Sequence, residues 1–222
     1  MRALTQHIEL AGGVAAIVLV LSPPLSGAAE QLMSFHMLQH LLLIAVAAPL
    51  IVVSRALESL QRWGWVRALA QPVPAWTAFV GVFIYWHWPA AFQWAAGGAA
   101  SRLLEQASIL LTALLFWSVA LSLRSQAWLS YGARALLVMT AAIATDLPGV
   151  IMVFSPSAFC TMPGESAWRW GLTPLEDQQI AGLLMWVPAN LVFFAIATTL
   201  FARWISDAPR NHAQTPHEKW VS

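Results

Sequence analysis

Two histidines and two methionines share one face of a predicted helix. His36 and His40 are four residues apart, and Met33 and Met37 fall on the same side, because residues three and four apart lie one turn above each other. Two imidazoles one turn apart can bind one metal ion, and thioether sulfur favours a soft ion such as Cu(I). Zinc favours more His, Cys or carboxylate ligands than this face offers. The spacing therefore predicts a copper site, with the metal as Cu(I).

A structural interpretation of the same residues stays open. Methionine commonly fills gaps in helix packing, and a histidine pair can simply hydrogen-bond between helices. The position of His87 favours the metal site over this alternative. With a rise of 1.5 Å per residue, His36 lies about 7 Å below the outer membrane boundary, His87 about 10 Å and His40 about 13 Å.

His87 and Asp146 stand next to predicted breaks in two other helices. His87 precedes Trp88-Pro89, and Asp146 precedes Leu147-Pro148. Because proline removes a backbone donor, the helix can open at each point. His87 could then turn inward as a ligand, or remain an interfacial histidine. Asp146 could orient a histidine, balance a cation's charge or relay protons; alternatively, it is a protonated side chain bonded to a freed carbonyl.

Three further positions near the predicted outer face carry reactive groups. Cys160 and Met162 form a soft pair in a loop, for which a free surface thiol is the alternative interpretation. Asp177 begins the last span, where an acid stabilises the N-terminal end of the helix dipole. Glu105 lies at the outer entrance of the fourth span.

The composition defines the class of protein that must position these residues. Only 9% of the side chains are charged, against about 25% in soluble domains. Apolar residues make up 59% of the chain and the mean hydropathy is +0.66. A net charge of +1 excludes the basic face of a nucleic-acid-binding protein, and a single cysteine excludes an internal disulfide. The chain is predicted to be an integral membrane protein in contact with the lipid bilayer.

Hydropathy predicts an all-α, polytopic membrane bundle of about six spans, since a bilayer core requires about 20 apolar residues as helix. Residues 1–206 form a single transmembrane domain, followed by a short polar cytoplasmic tail at 207–222. The first apolar run also has features of a signal peptide, but Glu9 and Pro23-Pro24 favour its retention. The predicted helices cover residues 8–25, 31–53, 73–94, 103–123, 133–155 and 178–204.

Basic residues near the helix ends predict the orientation. Nine Lys and Arg residues, including Arg124, lie on one side, and only Arg102 and Arg169 lie on the other. The positive-inside bias therefore places both termini in the cytoplasm. Tryptophans at both sets of helix ends, including Trp128, form the expected aromatic belts.

Several motifs resemble the CtaG-type cytochrome c oxidase assembly factors, integral membrane proteins implicated in copper supply. The most specific motifs are Phe35-His36-Met37-Leu38-Gln39-His40-Leu41-Leu42-Leu43 with Ala48-Pro49-Leu50, and Asp177-Gln178-Gln179-Ile180-Ala181-Gly182-Leu183-Leu184-Met185-Trp186. Ser22-Pro23-Pro24-Leu25, Trp86-His87-Trp88-Pro89 and Leu115-Phe116-Trp117 also match in the expected order. The resemblance covers nearly the whole chain. It implies His36, His40 and His87 as copper ligands, and leads us to expect a histidine where this chain has Glu105 and Gln106.

The resemblance also implies what the protein does. It is expected to be a non-enzymatic, multi-pass protein of the bacterial plasma membrane that holds Cu(I) near the outer face. Its partners would be the haem-copper oxidase subunit that carries the copper centre and a periplasmic copper donor. Two alternatives stay open: a b-type haem electron carrier with axial histidines on different helices, and a proton-coupled transporter using Asp146 and His40.

Overall fold

The computed structural model describes residues 2–121 and 129–212, and all regular structure in these two ranges is helical. Arg124, which was counted for the predicted orientation, and Trp128, which was assigned to an aromatic belt, lie outside the described ranges. Tail residues 213–222 also lie outside them. A π-helical segment, Leu42–Ala47, joins α3 to α4, and short 3₁₀ helices cover Glu58–Arg62 and Pro163–Trp170. The α-helices are α1 (Arg2–Leu21), α2 (Pro23–Ala29), α3 (Met33–Leu41), α4 (Ala48–Val53), α5 (Gly64–Leu69), α6 (Pro72–His87), α7 (Pro89–Ala96), α8 (Ala99–Leu121), α9 (Tyr131–Phe154) and α10 (Pro174–His212).

Five helical stretches in the described residues are long and apolar enough to cross a membrane. This confirms the all-helical membrane fold; the count of about six spans and the cytoplasmic position of both termini stay predictions, as does the division at residue 206. The five stretches are Leu4–Leu21, Met33–Val53, Ala99–Leu121, Tyr131–Phe154 and Pro174–Asp207.

The helical stretch predicted over 73–94 is divided at Pro89. The chain forms α6 and α7 there instead, with Trp88 extended between them at φ −71° and ψ 132°. The residue before a proline is pushed from the helical to the extended region by the proline ring. The opening predicted next to Pro89 is therefore confirmed, and it leaves His87 at the C-terminal end of α6. The opening predicted next to Pro148 is wrong, because α9 runs from Tyr131 to Phe154 with Pro148 inside it; a membrane helix tolerates the one backbone hydrogen bond that an internal proline removes.

The first and last spans also differ from their predicted bounds. α1 ends at Leu21, and Pro23-Pro24 begins the separate helix α2, since proline fits the first turn of a helix but not its interior. At the other end of the chain, α10 extends from Pro174 to His212, beyond the predicted 178–204. Glu176 and Thr173 cap it reciprocally: the Thr173 N–H donates to Glu176 Oε2 at 2.8 Å, and the Glu176 N–H donates to Thr173 Oγ1 at 3.2 Å.

Two glycines set the close approach of α9 and α10. A Cβ added to Gly182 would lie 2.7 Å from the Gly149 carbonyl oxygen, and one added to Gly149 would lie 3.1 Å from that of Gly182. Helices in a membrane associate through such small residues because these allow the backbones to meet. Any side chain at either position would push the two helices apart.

An aromatic layer fills the middle of the bundle. Phe79 and Phe116 stack with their ring centroids 4.8 Å apart, and Trp117 and Phe193 lie 5.0 Å apart. All four are almost completely buried. This layer joins α6, α8 and α10, and it borders the part of the core that contains the histidines.

Candidate metal centre

Helix α3 presents both predicted histidine ligands to the interior. His36 and His40 are 0% and 2% exposed, and their ring centroids are 4.6 Å apart. The spacing of four residues predicted this shared face. Placing two imidazoles in an apolar bundle is costly unless their nitrogens find partners.

Asp177 holds the N-terminal end of α3 in place. Its carboxylate accepts hydrogen bonds from the backbone N–H groups of Met33, at 2.7 Å, and Ser34, at 3.0 Å. Asp177 lies in the first turn of α10, as expected, and in addition it caps α3, which was not predicted. Two otherwise unsatisfied donors of α3 are thereby bonded, and the turn that carries His36 is fixed.

Glu105, on α8, completes a cluster with the two histidines. Its Oε1 lies 3.1 Å from His36 Nε2 and 3.5 Å from His40 Nε2, and the side chain is fully buried. The 3.1 Å contact is a hydrogen bond in which the imidazole donates; the 3.5 Å contact is longer than a good hydrogen bond. One potential ligand atom from each of the three residues lies within 4.8 Å of the others.

His87 adds a third ring next to His40. The two ring centroids are 5.6 Å apart. The His87 Nδ1–H donates to the Phe83 carbonyl oxygen at 2.6 Å, and the ring stacks on Phe83 at 4.1 Å. This bond assigns the proton to Nδ1 and leaves a lone pair on Nε2, the form in which histidine binds metals. His87 is thus ready to bind an ion, although it is not one of the three residues that converge within 4.8 Å.

Several nitrogen and oxygen atoms of this centre have no hydrogen-bond partner among the described residues. They are His36 Nδ1, both nitrogens of His40, His87 Nε2 and Glu105 Oε2. Buried polar atoms of native proteins are nearly always paired. Five such atoms on four neighbouring side chains indicate a site suited to binding a ligand.

The other predicted ligands have different surroundings. The Asp146 carboxylate accepts two hydrogen bonds from Asn190 Nδ2, at 2.8 and 2.9 Å, and it is not part of the three-residue cluster. Met33 and Met37 are buried, and Met37 lines a small cavity together with His40. Cys160 is also buried, with 1% of its surface exposed, and burial raises the pKa of its thiol to about 11.

Two motif residues satisfy carbonyl groups that prolines leave without a donor. Pro24 has no N–H to offer the Val20 carbonyl, and the Gln39 side-chain amide donates to that oxygen at 2.7 Å. In the π-helical segment each N–H bonds the carbonyl five residues earlier, as the Ala48 N–H bonds the Leu43 carbonyl. The next residue, Pro49, has no N–H, so the Ile44 carbonyl is left without a backbone donor. The Trp117 indole N–H donates to the Ile44 carbonyl instead, at 2.8 Å.

Gln178 holds the loop that follows α9 against the end of that helix. Its Oε1 accepts from the backbone N–H groups of Phe159 and Cys160, at 2.8 and 3.1 Å, and its Nε2 donates to the Met152 carbonyl at 3.2 Å. We call Gln39, Trp117, Asp177 and Gln178 the polar framework. Its members connect helices and loops around the metal centre, and each bonds backbone groups.

Sequence reasoning missed two residues of this region. Glu105 stood where the resemblance led us to expect histidine, so its carboxylate was not assigned as a ligand. Met185 lines the same cavity as Met37 and His40, but it lies far away in the sequence. The expectation that too few ligands converge for zinc is also corrected, because two histidines and one glutamate form a ligand set that zinc uses.

The fold and the site together define a helical membrane protein with a buried cluster of metal-ligand side chains. Comparison with known proteins gives the family: the cytochrome c oxidase caa3 assembly factor (Caa3_CtaG) model matches residues 5–207. The chain therefore belongs to this family of oxidase assembly factors. No curated protein and no solved structure matches it significantly.

Proposed function

We propose that this protein holds copper as Cu(I) in the cluster of His36, His40 and Glu105, and supplies it to a haem-copper oxidase. The observation that carries the proposal is the convergence of three buried ligand groups within 4.8 Å. Unpartnered nitrogens on these histidines and on His87 support it, since an ion would satisfy them.

The charge of the centre favours a monovalent ion. Glu105 is the carboxylate of the three-residue cluster, and the histidines bind metals in their neutral form. Cu(I) with Glu105 gives a net charge of zero, whereas a divalent ion leaves a positive charge buried, which is costly in an apolar interior. The thioether of Met37 next to His40 also favours Cu(I) over zinc.

The alternatives receive less support from the geometry. A bis-histidine haem requires a large space between its axial ligands, whereas the cavity that borders His40 has a volume of about 30 Å³; small-molecule sites are typically about 300–1,000 Å³. A proton-coupled transporter would use Asp146, but this carboxylate is bonded by Asn190. A single ion suits the centre better than either.

The role in assembly then follows from the family. The copper-centre subunit of the oxidase would be the recipient, a periplasmic protein the donor, and the bacterial plasma membrane the location. A copper carrier must bind and release its ion without chemical conversion. We therefore assign no catalytic activity to this protein.

The test is the substitution His40→Ala, with His7→Ala as the matched control, because His7 is exposed on α1. His40→Ala should abolish copper binding to the purified protein, measured as copper, zinc and iron content. In cells with scarce copper, it should leave the oxidase with haem but deficient in copper. His7→Ala should change neither result. Full oxidase activity with His40→Ala at normal protein abundance would refute the proposal.

The proposed outer location of the centre has its own test. Because Cys160 is buried, it is replaced by serine, and single cysteines are placed at the exposed positions Ser157 and Ser59. A membrane-impermeant thiol reagent should label Ser157→Cys in cells with a permeable outer layer, and Ser59→Cys only after lysis. The reverse pattern would place the metal centre near the cytoplasm and exclude delivery from the outer face.

A further inference from the structure

A small cavity borders His40, and His36 is not among the residues that line it. It has a volume of about 30 Å³, which is room for a small group such as a single ion. Helices α3, α6, α9 and α10 all contribute to its wall. Four of the lining residues carry a sulfur, nitrogen or oxygen atom in the side chain: Met37, His40, Thr145 and Met185.

The packing of α9 against α10 explains why Met185 reaches this cavity. Met185 follows Gly182 by three residues, and Gly182 lies against the backbone of Gly149. A Cβ on Gly149 would lie only 3.4 Å from the Cβ of Met185. The glycine contact therefore brings Met185 into the core, where it faces the same space as Met37.

One ring nitrogen of His40 is available as a ligand for an ion in this cavity. Neither of the two ring nitrogens has a hydrogen-bond partner among the described residues; Nε2 lies 3.5 Å from Glu105 Oε1, so Nδ1 is the nitrogen that remains for a second position. The Thr145 hydroxyl donates within its own helix, to the carbonyls of Ala141 and Ala142. The available donors are therefore one imidazole nitrogen and two thioether sulfurs.

We infer that this cavity is a second, softer copper position, in which His40, Met37 and Met185 bind Cu(I). The inference rests on the proposed function and adds a ligand set to it. Thioethers are neutral, soft donors that bind Cu(I) but bind zinc poorly. The two positions share His40 through opposite nitrogens of its ring, and a neutral imidazole has one lone pair. When an ion passes from the harder set with Glu105 to the softer set, Nδ1 therefore gives up its proton as it binds the ion, and the released Nε2 takes up a proton, for which Glu105 is the neighbouring acceptor and donor. The softer position would give the protein its preference for Cu(I).

X-ray absorption on the purified full-length protein tests the inference. Loaded with one equivalent of Cu(I), the wild type should show a sulfur neighbour at about 2.3 Å, the length of a metal–sulfur bond. The double variant Met37→Leu/Met185→Leu should lose this neighbour and bind Cu(I) at least tenfold more weakly, with unchanged zinc affinity. Leucine conserves the volume of methionine but offers no donor.

Met139→Leu is the matched control, because Met139 is a partly buried methionine that lines a different cavity. It should retain both the sulfur signal and the affinity. Bound Cu(I) with only nitrogen or oxygen neighbours in the wild type would overturn the second position and leave the proposed function standing. Failure of the wild type to bind copper at all would overturn both. The wild-type spectrum decides the question even where the double variant folds poorly.

Discussion

The polar framework and the candidate metal centre both bury polar side chains in an apolar bundle, but the hydrogen bonds of the framework are complete and those of the candidate centre are not. Trp117 and Gln39 each donate to a carbonyl group that a proline leaves without a donor. In the metal centre, by contrast, His40 has two nitrogens without a hydrogen-bond partner among the described residues. Both sets lie at similar burial, so burial does not distinguish them.

This difference separates residues that stabilise the fold from residues available to a ligand. A buried donor or acceptor without a partner costs about 1–3 kcal/mol. Removing a framework side chain should therefore destabilise the protein, because it leaves a backbone group unpaired. Removing a side chain of the candidate metal centre should mainly affect metal binding, because this side chain leaves hydrogen-bonding atoms unpaired in the metal-free protein and so contributes little to stability. The following substitutions test this contrast.

Substitution of Glu105 should have the largest effect of this series, and the effect should be on metal affinity. Glu105→Gln should lower copper affinity about ten- to a hundredfold, as the loss of a group that supports a metal site commonly does, because the carboxylate charge is lost. Glu105→His should recover most of the affinity by supplying an imidazole. Without metal, the Glu105→Gln variant should have a free energy of unfolding equal to or higher than that of the wild type, since a buried carboxylate is costly.

Glu30→Gln is the matched control for Glu105. Glu30 forms a salt bridge with Arg102 at 2.8 Å on a partly exposed surface. Its loss should change stability by less than about 1 kcal/mol and leave copper affinity unchanged. Isothermal titration and denaturant unfolding measure the two quantities. If Glu105→Gln binds copper as the wild type does, the carboxylate is not a ligand.

Trp117→Phe should show a moderate effect, and on stability. The substitution leaves the Ile44 carbonyl in the π-helical segment without its donor, which should lower the free energy of unfolding by about 1–3 kcal/mol. Copper affinity of the folded protein should stay close to that of the wild type. Trp63→Phe is the control, because Trp63 is 53% exposed. Equal stability of Trp117→Phe and Trp63→Phe would contradict the role of the indole N–H.

Gln178→Leu should show the smallest effect, confined to the loop that follows α9. In the wild type, Cys160 should react slowly with thiol reagents at pH 7.4, because it is buried and its thiol pKa is raised to about 11, so that little thiolate forms. Without Gln178, the backbone N–H groups of Phe159 and Cys160 lose their acceptor. A loss of about 1 kcal/mol would raise the labelling rate roughly fivefold. An unchanged rate would show that other contacts hold this loop.

Patterns local in the sequence predicted much of the fold. Five of the predicted spans have counterparts among the apolar helices, because hydropathy acts along each helix independently of its neighbours. The break at Trp88 also followed from a local rule, the steric effect of Pro89. The shared face of His36 and His40 followed from helical periodicity alone.

The site could be predicted only in part, because tertiary packing decides which helices meet. Asp177 lies in the first turn of its own helix, as expected, but its hydrogen bonds to the N-terminal end of α3 could not be predicted. Glu105 lies 69 residues after His36, and no sequence period connects them. Met185 reaches the core through the contact of Gly149 with Gly182, which depends on the crossing of α9 and α10.

The cap of α3 also determines the order in which the protein matures during synthesis. Asp177 follows Met33 by 144 residues, so the last span must enter the membrane before the helix that carries His36 and His40 receives its cap. A nascent chain that ends after α9 contains all three histidines and Glu105, but it lacks Asp177. Completion of the candidate centre thus waits until translation of the last span has begun, so under the proposed function an incomplete chain would be a poor metal binder.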